Sequence, residues 1–140
     1  MAEKPKRPFA VTCLAALVLT FTGMQILRAW AMLSNWDFFS SLPLSVPPIF
    51  FVASGLFWGG LGIWLVRGVW LGKAWAPRFV GWIALLFAGF AQLDRAILQA
   101  RGPQNVTWPF DLFLTIALLA LVFASLALPQ VRAYFGADYE

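Results

Sequence analysis

Long apolar runs separated by short polar links give this chain its first reading. An α-helix rises about 1.5 Å per residue, so crossing a hydrocarbon core of about 30 Å takes roughly 20 mostly apolar residues. Four segments reach that length. The first is uncharged from Phe9 to Leu27, meets Arg28, and extends as far as Leu33; the second runs from Ile49 to Val66 and closes at Arg67. The third is uncharged only from Phe79 to Leu93 and becomes long enough by taking Asp94 and Arg95 into its last turns. The fourth begins near Trp108, carries Asp111 in its first turn, and is uncharged from Leu112 to Leu128. The pattern predicts an all-α membrane protein: a four-transmembrane-helix bundle in up-down-up-down order. Residues 1–140 form one integral domain, with spans near 9–31, 48–68, 77–98 and 108–128.

The prolines agree. All nine fall at the ends of spans or between them, where a missing N–H and a fixed φ are tolerated, and none interrupts a span. Continuous helices follow, and the broken helices of many transporters are not expected. The first span is too long for a cleaved leader, whose apolar stretch is about 7 to 15 residues, so it reads as a retained anchor.

Composition sharpens the class. Of 140 residues 61% are hydrophobic and 11% charged, against about 25% charged in a soluble domain, which excludes a water-soluble globule. The chain has no His and a single Cys, Cys13. His-ligated haem or metal, Cys-clustered zinc, disulfides and His-dependent triads therefore lack their ligands or bases. No cofactor is expected.

Charge then orients the bundle. Lys4, Lys6, Arg7, Arg67, Lys73, Arg78 and Arg132 lie on the side of the termini and the 67–78 link, seven basic residues against three on the other side, Arg28, Arg95 and Arg101. By the positive-inside rule both termini are cytoplasmic, N-in/C-in, as in a multi-pass protein of a bacterial inner membrane. Asp37, Asp94 and Asp111 balance the three outer arginines, so the whole net charge of +4 lies on the inner face. A pI near 9.9 thus calls for a lipid bilayer as partner and no nucleic acid. Trp30, Trp36 and Trp108 fall near the outer boundary, and Trp70, Trp75, Tyr134 and Tyr139 near the inner one. Trp58, Trp64 and Trp82 sit deeper, as lipid-facing or packing bulk.

Helices in lipid associate through small residues that let backbones approach, because the tails are as apolar as the side chains. The second span carries the strongest such face, Gly55, Gly59 and Gly62, a GxxxG with a third glycine. It suits packing inside the bundle, the reading adopted, or a dimer face. Weaker stripes are Thr12, Ala16 and Thr20 in the first span, Ala84 and Ala88 in the third, and Ala117, Ala120, Ala124 and Ala127 in the fourth.

The candidate site is a polar cluster in the outer part of the bundle: Gln25, Arg28, Gln92, Asp94, Arg95 and Asp111. Asp111 starts a helix, where the dipole favours an anion, whereas Asp94 lies near a C-terminal end with no basic residue three or four positions away. A membrane-embedded charge costs about 2.5 to 3.5 kcal/mol at mid-span, so partners are required. The expected pairs are Arg28 with Asp94 and Arg95 with Asp111. They clamp the helices, or with Gln25, Gln92 and Asp37 they line a small outward pocket for an ion, a lipid headgroup or a partner loop.

Other features carry less. Asn105-Val106-Thr107 matches a glycosylation sequon by chance, and Cys13 reads as a small hydrophobe. Leu27-Arg28-Ala29 is faintly echoed by Asp94-Arg95-Ala96, and Val66-Arg67-Gly68 by Val131-Arg132-Ala133, hinting at duplicated hairpins. The expected function is non-enzymatic: a structural or accessory subunit of a larger membrane complex, or a small homo-oligomer. The alternative is a small transporter or a lipid- or ion-binding protein that uses the Arg/Asp cluster. Mid-span ionisable groups are missing, which weighs against coupled transport, and no nucleophile with an adjacent base appears, which weighs against an enzyme.

Overall fold

The computed structural model describes residues 6–44, 46–99 and 108–136. The described residues form helices joined by turns and short irregular links, with no strand among them. Four long helices, α1 (Phe9–Ser34), α3 (Pro48–Trp70), α4 (Ala76–Gln99) and α5 (Trp108–Ala127), are joined by two short ones, α2 (Trp36–Ser41) and α6 (Pro129–Gly136). Each long helix is apolar enough, and long enough, to cross a bilayer. The chain is a small polytopic membrane protein in contact with lipid.

The prolines mark the joints. Pro8 and Pro47 cap α1 and α3 in extended backbone, Pro48 is the first residue of α3, and Pro77 and Pro109 stand second in α4 and α5. The 26 residues of α1 measure about 39 Å, so its last turns overshoot a hydrocarbon core of about 30 Å. There Asn35 Nδ2 donates to the Ala31 carbonyl at 2.9 Å, ending α1 and opening α2. Helix α2 falls in what the sequence pattern shows as a link between spans. Six residues are too few to show a helical period, and it lies against a proline-rich stretch.

Helix α3 ends in a Schellman motif, with Gly72 N–H donating to the Val69 carbonyl and Lys73 N–H to the Gly68 carbonyl. Gly72 supplies the left-handed residue at φ 66°, which explains why a glycine stands there. The turn folds α4 back along α3, with Trp64 stacked on Trp75 at 4.1 Å between ring centroids.

The buried core sits at one end of the bundle. Val11, Leu14 and Ala15 from α1 meet Leu65 and Val69 from α3, Ala76 and Val80 from α4, Val122 from α5, and Val131 and Phe135 from α6. Trp70 binds the same end together: its carbonyl accepts from Arg7 at 3.2 Å and from the Tyr134 hydroxyl at 3.1 Å, and its ring lies 3.6 Å from the Arg7 guanidinium carbon. Helix α6 is an end-cap beyond the last predicted span, and eight residues cannot announce a face before the core they cover is known.

The closest helix pair is α1 with α3. The glycine face makes it so: Gly55 lies on the Gln25 carbonyl and Ala29, Gly59 on Ile26, and Gly62 on Thr22. Successive α3 glycines meet successively earlier α1 residues, so the two helices run antiparallel. A β-carbon on Gly62 would collide with the Thr22 side chain, which accounts for a glycine there.

The other small-residue stripes are corrected. Thr12, Ala16 and Thr20 are exposed, and α1 packs instead through Val11, Leu14, Ala15, Thr22 and Ala29. Ala117, Ala120, Ala124 and Ala127 also face outward; α5 turns Asp111, Thr115, Leu118 and Val122 inward. Ala84 and Ala88 line a cavity. Small side chains permit close approach but do not compel it, and α4 and α5 are held by large and polar groups. Cys13 is exposed on the outer surface of α1. Trp82 faces outward at 64% exposure, while Trp58 and Trp64 pack against aromatic rings of α4.

Candidate functional site

Beyond the core, at the end of the bundle away from α6, polar side chains enter the spaces between the helices. Two ion pairs stand there, with the pairing the sequence predicts. Arg28 Nη2 on α1 donates to Asp94 Oδ1 on α4 at 2.9 Å and stands 2.8 Å from Oδ2 of the same carboxylate. Arg95, the next residue of α4, pairs with Asp111 on α5. Adjacent positions on a helix point about 100° apart, so one turn of α4 reaches α1 on one side and α5 on the other.

The two pairs sit in different surroundings. Asp94 is buried at 8% exposure, and the Arg28 guanidinium carbon lies 5.2 Å from the ring centre of the wholly buried Phe51 on α3. Arg28 therefore ties three helices through an ion pair and a ring. The Arg95–Asp111 pair is more open, with side chains 25% and 28% exposed. Asp111 Oδ2, itself shielded, has the Arg95 guanidinium as counter-charge and no further donor.

The difference acquires meaning from a cavity of about 340 Å³ between α1, α3, α4 and α5. Arg95, Asp111, Gln25, Gln92 and Thr115 line its polar end, and Arg28 and Asp94 are not among its walls. The six sequence candidates thus split: four face the cavity, and two form a clamp beside it. Asp37, expected with them, lies on α2, is exposed, and takes no part. The walls below are apolar, from Leu118 and Leu119 on α5, Phe21 on α1, and Trp58 edge-to-face with Phe87 at 5.1 Å. Leu65, Val80 and Val122 at its floor belong to the core.

Hydrogen bonding at the polar end is nearly closed. Gln92 Nε2 donates to Thr115 Oγ1 at 3.3 Å, and the Thr115 hydroxyl donates to the Asp111 carbonyl at 2.8 Å. Two buried oxygens there accept no hydrogen bond, the Gln25 carbonyl oxygen and Asp111 Oδ2, the second of which faces the Arg95 guanidinium. Thr115 was not a sequence candidate. Its place four residues after Asp111 puts both on one face, a signal that was available. Phe51 left no trace in the sequence, since nothing marks one phenylalanine among many as the seat of an arginine.

Among the described residues no three His, Cys, Asp or Glu side chains come together to hold a metal ion. With each acid matched by an arginine, the polar end is charge-balanced, and what it offers chemically is hydrogen bonding above an apolar slot. The sequon 105–107 and Arg101 lie outside the described residues. Compared with known proteins, the chain matches no family model, no curated protein and no solved structure.

Proposed function

We propose that this polytopic protein works by binding lipid within the bilayer and carries out no catalysis. In this reading the bundle crosses up-down-up-down with both termini on the cytoplasmic face of a bacterial inner membrane, and its polar end lies in the outer leaflet. The charge distribution supports the orientation: Lys6, Arg7, Arg67, Lys73, Arg78 and Arg132 gather at the core end, while Arg28 and Arg95 at the other end are neutralised.

The observation that carries the proposal is the cavity. Its walls below the polar end are apolar side chains of four helices that do not close on one another. An apolar chain from the surrounding bilayer fills such a space without dehydrating anything. The volume falls within the range of about 300 to 1,000 Å³ of ligand sites.

A second reading, an accessory subunit or homo-oligomer, is favoured by α5. That helix buries only Val122 fully and turns Ala117, Ala120, Ala124 and Ala127 outward, the kind of surface that accepts another helix. Extraction into nanodiscs followed by native mass spectrometry separates the two. Lipid retained on a monomer supports binding within the bundle; a stoichiometric protein partner with no retained lipid overturns it.

A further inference from the structure

At the core end, away from the cavity, we infer a second binding surface: a site for the phosphate of an anionic phospholipid headgroup, centred on Arg7 and Trp70. It is independent of the cavity and stands whether or not the cavity holds lipid.

Charge comes first. Lys6, Arg7, Arg67, Lys73, Arg78 and Arg132 are all exposed at this end, and none has an ion pair among the described residues. The three described acids, Asp37, Asp94 and Asp111, lie at the far end, where Arg28 and Arg95 are matched. Set against Glu3, Asp138 and Glu140 of the terminal segments, the seven basic residues of this side still leave an excess of four. Such a surface at the edge of a bilayer attracts anionic lipid.

Geometry turns that attraction into a place. The Arg7 guanidinium carbon lies 3.6 Å from the centre of the Trp70 ring, and Arg7 Nη2 donates to the Trp70 carbonyl at 3.2 Å. One face of the planar group is covered and one N–H is used, and Arg7 makes no other hydrogen bond among the described residues. The free N–H groups of a guanidinium hold a phosphate by parallel hydrogen bonds. Because ring and carbonyl already fix the side chain, little freedom is lost on binding.

Three more cations stand around this arginine. Lys6 lines a groove with Pro8, Gln130 and Tyr134. Arg67 is three residues before Trp70 on α3, and so on the same side of that helix. Lys73 follows Gly72, which lies against the Tyr134 ring, and the Tyr134 hydroxyl donates to the same Trp70 carbonyl as Arg7 does. The N-terminal segment, the turn after α3 and α6 thus meet at one spot. Arg78 and Arg132 share the end but have no hydrogen bond, ion pair or ring contact with this group.

The surroundings select a lipid over a soluble phosphate. Trp and Tyr rings favour the headgroup level of a bilayer, where lipid phosphate lies. Phe9, two residues after Arg7, and Leu71, next to Trp70, are exposed and apolar, a surface for acyl chains beside the held head.

The test uses the whole chain in nanodiscs of equal parts phosphatidylcholine and phosphatidylglycerol, released into mild detergent, with retained lipid counted by native mass spectrometry. Phosphatidylglycerol is expected in at least about tenfold excess over phosphatidylcholine, and Lys6→Gln with Lys73→Gln is expected to cut that excess about fivefold or more, the worth of one or more basic residues beside an anionic head. Arg78→Gln with Arg132→Gln, the same change in charge, is expected to leave most of the excess. Circular dichroism and elution volume report folding, and the unaltered protein alone tests the preference. No preference for phosphatidylglycerol overturns the site. Equal losses from the two double variants overturn its place at Arg7 and Trp70 in favour of a diffuse field. Glycerol phosphate added in solution is expected to displace nothing; displacement overturns the lipid in favour of a soluble phosphate. Leu118→Trp, which fills the cavity, is expected to keep the excess, and losing it there would move the retained lipid into the cavity and overturn the second surface.

Discussion

Helices α1 and α3 meet through glycine, with Gly55, Gly59 and Gly62 against Gln25, Ala29, Ile26 and Thr22, whereas α4 and α5 meet through polar groups across a cavity. The second pair touches at Phe123 against Gly81, at Gln92 with Thr115 and at Arg95 with Asp111, with open volume between. In lipid there is no hydrophobic drive to close helices together, so a pair is joined either by close backbone packing or by polar contacts at a distance. This bundle uses the first on one side and the second on the other. The closely packed half is a frame, and the loosely packed half leaves room for a ligand.

Filling the frame should break it most. Gly62→Val places a branched side chain where one β-carbon already collides with Thr22; a loss of about 3 kcal/mol or more is expected, at the upper end of overpacking. Gly60→Ala, where nothing lies within 4 Å, should be neutral or gain up to about 1 kcal/mol from helix propensity. Reversible unfolding in mixed micelles measures both, and equal effects at the two glycines would refute the frame.

Next comes the clamp between the halves. Asp94→Arg or Arg28→Asp alone sets like charges against each other in a buried place. Each is expected to lose about 2 to 4 kcal/mol, close to the cost of breaking a buried pair. The double exchange should recover at least half. If the double variant is no more stable than the singles, the pair is not what joins α1 to α4.

The loose half should respond with the opposite sign. Ala88→Leu enlarges a side chain that borders the cavity, and a gain of about 0.5 to 2 kcal/mol is expected, as for other cavity-filling changes. A thermal-shift assay reads it; destabilisation like that of Gly62→Val would mean there is no room. The smallest effect concerns the core end. Arg7→Ala removes the guanidinium from the Trp70 ring and carbonyl, and about 0.5 to 1 kcal/mol should be lost, as for exposed cation–π pairs.

What could be read in advance followed from strong local constraints. Four spans of the right length had to be helical because lipid leaves no other way to satisfy a backbone. Their ends were marked by proline and charge to within three residues: α1 runs to Ser34 where the span was placed to residue 31, and α3 to Trp70 where it was placed to 68. Two membrane-embedded acids and two arginines at one level left few ways to pair. The stripes Thr12–Thr20 and Ala117–Ala127 misled because smallness is a permission and several helix faces had it. Helices α2 and α6 stayed hidden because short segments derive their faces from what they cover.

The sequence by itself determined the class of the molecule, the number and limits of its spans, and the need for its embedded charges to find partners. Those follow from one-dimensional quantities: length against bilayer thickness, charge against desolvation, proline against the helix. Only the tertiary structure decided which small-residue face became an interface, that Arg28 rests on Phe51, and that Arg95 and Asp111 border a cavity while Arg28 and Asp94 do not. These depend on how far apart helices stand and how they are turned, which is settled jointly by every side chain between them and is written in no single segment.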